Sequence, residues 1–97
     1  MYTSIGRYNL KPDSTEEVIR RTEKDFLPIV TKSPGFLALD VVNTGHNTLT
    51  MISTFEDRVG AEQSNKLTEG WVKDNLASLV TEPPMIMGGE IGVHKAK

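Results

Sequence analysis

The side chains here that could bind or transform a small molecule are few: Trp71, Arg7, two tyrosines, four methionines and two histidines among 97 residues. Trp71 offers a flat apolar surface and one N–H donor, which suits the wall of a pocket for an aromatic compound and equally suits a core between helix and sheet. Met51, Met85 and Met87 carry flexible thioethers that fill irregular space and touch aromatic rings favourably, so they fit either an adaptable apolar cavity or an ordinary core. Arg7 could orient an anionic or phenolate group if its strand faces such a cavity, although an edge salt bridge is the commoner fate of a strand arginine.

Other chemistries are excluded by residue type. The absence of cysteine removes thiol nucleophiles, Cys-based zinc sites and disulfides. His46 lies between Gly45 and Asn47 in a turn, His94 lies at the end of the last strand, and no His-x-x-x-His or Asp-x-Asp spacing accompanies them, so no metal is expected. No glycine phrase of the nucleotide-binding kind is present, and no bound cofactor is expected. The glutamates at 16, 17, 23, 56, 62 and 69 read as solvated helix charges rather than a paired acid and base. Eleven basic against thirteen acidic residues give a net charge of -2, which offers no footprint for nucleic acid or an anionic membrane. With no signal-like start and no apolar run near the ~20 residues of a bilayer span, the expectation is a soluble, cytoplasmic protein.

The elements that must carry these residues are organised around a central hairpin. Phe36 to Asn43 and Thr48 to Phe55 are apolar-rich runs joined by the turn-forming Thr44-Gly45-His46-Asn47. Strict alternation puts Leu37, Leu39 and Val41 on one face of the first run and Phe36, Ala38, Asp40 and Val42 on the other, so both faces call for cover. Before the hairpin, Met1 to Asn9 reads as a strand whose set Tyr2, Ser4, Gly6, Tyr8 opposes Thr3, Ile5, Arg7, Asn9, and a cavity could lie against either set. Ser14 with Glu17 predicts a capping box opening a helix with Ile19, Thr22, Phe26, Ile29 and Val30 inward, broken or kinked near Phe26 by Pro28. Pro34-Gly35 predicts a type II turn.

After the hairpin, Asp57 is a candidate N-cap for a helix with Val59, Gln63 and Leu67 inward, and Thr68 could cap a second piece carrying Val72, Leu76, Leu79 and Val80. Pro83-Pro84 stops it, and Met85 to His94 reads as the last strand, thinned by Gly88, Gly89 and Gly92. One domain over residues 1–97, in the order βαββαβ, predicts a ferredoxin-like α+β fold: a four-stranded antiparallel sheet with both helices on one face. The bare face predicts a homodimer through the sheets.

Several phrases resemble the antibiotic biosynthesis monooxygenase domain family of the dimeric α+β barrel superfamily. They are Ser33-Pro34-Gly35-Phe36, Ser53-Thr54-Phe55-Glu56-Asp57, and Trp71 to Val80 ahead of Pro83-Pro84. The resemblance spans nearly the whole chain. It implies a pocket between sheet and helices, and in some members oxygenation of aromatic or quinol-like substrates without metal or added cofactor. Catalytic members use an Asn and a Trp with an Arg or His beside them, which points to Trp71 as pocket wall, Asn65 as donor and Arg7 as charge partner; Tyr8, Met51 and Met87 are candidate substrate contacts on their own chemistry. Asn65 precedes Trp71 by six residues, not the three or four that would share a helix face, while Asn75 follows it by four. Neither histidine stands where a haem ligand in that helix would be expected, so haem degradation is disfavoured. Two readings follow: a cofactor-independent monooxygenase acting on a small aromatic or quinone-type compound, or a non-enzymatic small-molecule-binding or assembly module of the same fold. An isomerase or aldolase of the superfamily would need an acid and base that the sequence does not show.

Overall fold

In the computed structural model, which covers residues 1–97, the chain runs β1 (Tyr2–Asn9), α1 (Thr15–Arg21), a π turn (Thr22–Phe26), α2 (Leu27–Val30), β2 (Phe36–Gly45), β3 (Thr48–Phe55), α3 (Arg58–Asn75) and β4 (Met85–Glu90). The strands form one antiparallel sheet in the order β2-β3-β1-β4. This is the expected ferredoxin-like topology. Both turns around the hairpin follow from their residues: Gly35 takes a φ of 74°, and His46 and Asn47 take 53° and 58°, the paired positive values of a tight hairpin turn.

The helices cover one sheet face. Leu49, Met51 and Phe55 of β3 and Tyr8 of β1 join Val18, Phe26, Val30, Trp71, Val72 and Leu76 in a single buried cluster. Alternation along the paired strands leaves Thr3, Ile5, Arg7, Asp40, Val42, Ile52, Met85 and Met87 on the opposite, helix-free face. Phe36 departs from the simple alternation. A register shift between Phe36 and Ala38 turns its ring to the helix side, edge-on to Phe55 at a centroid distance of 6.0 Å.

Local details differ from the sequence reading. Ser14 makes no capping bond through its side chain, its backbone being helical (φ -99°, ψ -10°) instead of the extended form of an N-cap, and the Glu17 carboxylate that would complete the box is taken by Arg20 and Arg21. Those two guanidinium groups hold the Glu17 carboxyl below its ordinary range. The irregularity expected near Phe26 is present, as a widened π turn over Thr22–Phe26 rather than a break. Proline has no N–H for the carbonyl four residues back, and its ring crowds that carbonyl, so the preceding turn shifts register and the Leu27 N–H donates to the Thr22 carbonyl, five residues away.

Asp57 does cap α3, its carboxylate accepting from the Gly60 N–H at 2.9 Å, but α3 then continues unbroken through Thr68. The Thr68 hydroxyl donates to the Ser64 carbonyl at 2.8 Å instead of starting a new helix. The buried stripe of α3 is Gly60, Ala61, Ser64, Trp71 and Val72, while Val59 is 63% exposed and Leu67 faces outward with it. Small residues won this face because α3 approaches the rest of the chain closely. A Cβ on Gly60 would lie 2.8 Å from the Pro34 carbonyl oxygen, so alanine there would force backbone apart and lose the ~1 kcal/mol it offers in helix propensity. Finally, β4 ends at Glu90 rather than His94.

A cavity between the sheet and the long helix

Between α3 and the helix-side face of β1, β3 and β4 lies a cavity of about 640 Å³. The strand pleat supplies its floor: Ser4, Gly6 and Tyr8 point one way along β1, with Met51 and Ser53 beside them on β3 and Ile86 on β4. The wall is the α3 face carrying Asn65, Thr68 and Val72, whose i, i+3, i+7 spacing brings them into line, with Glu69 and Lys73 along it. Residues Ala77 to Pro84 close one end. That strap is pinned to the end of β1, where the Lys11 N–H donates to the Leu79 carbonyl at 2.9 Å and the Thr81 N–H to the Asn9 carbonyl at 2.9 Å. The Asn9 amide also donates to the Glu82 carboxylate at 2.6 Å.

Among the polar side chains of the lining, two are placed to meet a ligand. The Ser4 hydroxyl, on a buried residue, donates to the Asn65 side-chain oxygen at 2.8 Å. With the amide in this orientation, its N–H donors are left for whatever occupies the cavity. Tyr8 lies across Gly6, where a Cβ would stand 3.1 Å from the tyrosine ring and 2.9 Å from the tip of Ile86, so only glycine leaves the ring this room. No buried side-chain oxygen or nitrogen lacks a partner, and the Tyr8 hydroxyl has none in the protein, so it opens to the cavity. Burial pushes the Tyr8 phenol up from its ordinary value, because the charged phenolate would lose its hydration. Below the ordinary phenol range Tyr8 is therefore a neutral donor, and any stability it lends through this shift is lost as pH rises beyond that range.

The predicted site residues divide between three places. Asn65, Tyr8 and Met51 line the cavity together. Trp71 does not: it is 9% exposed and packs at 5.0 Å on the ring of Phe26 across a tilt of 42°, in the core between α3 and the π turn. Six residues of helix turn Trp71 about 240° from Asn65, which carries its ring away from the cavity wall. Arg7 and Met87 lie on the other side of the sheet, one residue out of phase with the cavity-facing set, and Met87 is 63% exposed there. Ser4, Thr68 and Val72 also line the cavity and are not among the residues that the sequence reading picks for it. Ser4 shares the strand phase of Tyr8 and the other two share the helix phase of Asn65, so the signal was present in the spacing. No three His, Cys, Asp or Glu side chains converge as a metal site would require, and no helix is long and apolar enough to cross a membrane.

No protein-family model and no curated protein matches the chain. Solved structures do. A protein of unknown function from Nitrosomonas europaea, NE2512, superposes with a TM-score of 0.81 at 22% identity, over 99% of this chain and 93% of that one. A putative antibiotic biosynthesis monooxygenase from the same organism gives 0.78 at 20% identity, over 96% and 100%. A monooxygenase from the gene ActVA-Orf6 of Streptomyces coelicolor, in complex with nanaomycin D, gives 0.78 at 13% identity, over 99% and 92%. The chain thus has the ferredoxin-like fold of the antibiotic biosynthesis monooxygenase proteins. At these identities it is the fold that is shared.

Proposed function

We propose that this protein is a cofactor-independent monooxygenase that binds a small aromatic or quinol-type compound in the cavity between β1 and α3. The observation that carries the reading is the convergence of the Asn65 amide and the Tyr8 hydroxyl on one cavity of about 640 Å³, large enough for a fused-ring ligand. The relative that holds nanaomycin D supports the same ligand class. Such a substrate carries its own reducing electrons. Loss of a proton to water at the cavity mouth leaves an electron-rich anion, which two preorganised neutral donors stabilise. The anion reduces dioxygen: a ring CH₂ carbon gains a C–O bond, the resulting peroxide O–O bond breaks with loss of the second C–H, and one oxygen remains as a carbonyl while the other leaves as water.

The same reading includes one functional domain over residues 1–97, a cytoplasmic location, and a homodimer formed through the helix-free sheet face. Exposed Val42, Met85 and Met87 on that face, flanked by Ile5 and Ile52, support the dimer. Oxygen consumption with 1,8-dihydroxy-9-anthrone as the probe tests the activity. Saturable uptake of one O₂ per probe molecule, in proportion to protein, is the expected result. A protein that binds the probe and consumes no oxygen above the uncatalysed rate is a binding module instead.

A further inference from the structure

Arg7 is left without a role in the cavity, and its surroundings suggest another. Arg7 is registered against Thr50 on β3, and Asp40 of β2 against Ile52, so the two charges lie on opposite sides of β3 and two residues apart along it. By strand spacing and rise their backbones are about 12 Å apart on one sheet face. Both are exposed, neither joins an ion pair within the chain, and they are the two formal charges among the residues of the four strands that face away from the helices.

We infer that Arg7 of one copy pairs with Asp40 of a second copy, twice, across the two-fold axis of a sheet-to-sheet homodimer; this rests on the dimer proposed above. A two-fold axis lying between the sheets, crossing β3 between Thr50 and Ile52 and perpendicular to the Arg7–Asp40 line, exchanges the two positions. Each Arg7 then arrives over the other copy's Asp40, and the same operation brings Ile5 beside Ile52 and Met85 beside Ala38. Sheets packed face to face stand about 10 Å apart, a gap that an arginine and an aspartate extended toward one another can bridge. An interface related by a two-fold axis must be complementary to itself, and one charge of each sign at exchangeable positions meets that condition. The pair also sets register. A sheet slipped by two residues would bury Arg7 and Asp40 unpaired, which is costly in an otherwise uncharged contact.

Charge reversal tests this. Arg7→Asp alone places Asp against Asp, and Asp40→Arg alone places Arg against Arg, so each variant by itself is expected to be monomeric at concentrations where the wild type is dimeric. Mixing the two variants restores both pairs, because one copy keeps Asp40 opposite the other's Arg7 while the two reversed residues face each other. Native mass spectrometry of the mixture should then show heterodimer as the main dimeric species, the two chains being separable by mass. The milder Arg7→Gln and Asp40→Asn, which keep size, should each raise the dimer Kd about 30-fold or more, with circular dichroism confirming the fold. Single variants that dimerise like the wild type, or a mixture giving the statistical 1:2:1 distribution, would overturn the pairing while leaving a sheet dimer. A monomeric wild type would overturn the dimer itself.

Discussion

Asn65→Ala is expected to lower the turnover of anthrone oxidation by about 10²- to 10³-fold, the usual loss when one preorganised donor to a developing anion is removed. The effect falls on kcat, because the amide N–H meets full negative charge only once the substrate has ionised. Stability should change little, since Asn65 is half-buried on the cavity wall and its one bond, from the Ser4 hydroxyl, can be replaced by water entering the cavity. Oxygen-uptake kinetics of the purified variant, with thermal melting alongside, check both halves. A variant with wild-type kcat would remove Asn65 from the chemistry and leave Tyr8 as the remaining donor.

Trp71→Ala should behave in the opposite way. Trp71 makes its aromatic contact with Phe26, itself 1% exposed, and neighbours Val72 and Leu76 in the same cluster. Truncating a buried indole of this kind costs about 3–5 kcal/mol, the lost transfer energy plus the cavity left behind. Against the 5–15 kcal/mol typical of a domain's total stability that is a large fraction. The expected result is a sharply lowered melting temperature with kcat per folded molecule close to wild type, and Trp71→Phe recovering most of the loss. A Trp71→Ala protein that melts normally but has lost turnover would put the indole back in the active site.

These two residues also show how far the sequence could be read. The hairpin, the Gly35 and His46-Asn47 turns, the Asp57 cap and the βαββαβ order follow from local chemistry, and each appears in the structure. Helix rotation did not follow, because Val59 and Leu67 look like a buried stripe until one knows that Gly60 sits against the Pro34 carbonyl. Close approach is a property of two segments far apart in sequence, and apolar spacing on one of them cannot reveal it. The site was half legible for the same reason. Tyr8, Met51 and Asn65 line one cavity, whereas Arg7 and Met87 lie on the other sheet face, their strand phase being opposite to that of Tyr8 and Ile86. The alternation of β1 was visible from the start; which of its two faces the helices would cover was decided by Tyr8, Leu49 and Met51 joining one core.

The ligand is expected on the helix side of the sheet, against Asn65 and Tyr8. Amide chemical-shift mapping of ¹⁵N-labelled protein titrated with 1,8-dihydroxyanthraquinone, the shape of the oxidised probe, tests it most directly. Saturable shifts at Ser4, Gly6, Asn65, Thr68 and Val72 are expected, with Ile5, Arg7, Asp40 and Met87 unmoved. Shifts concentrated on that second set would place the ligand on the helix-free face and contradict the account.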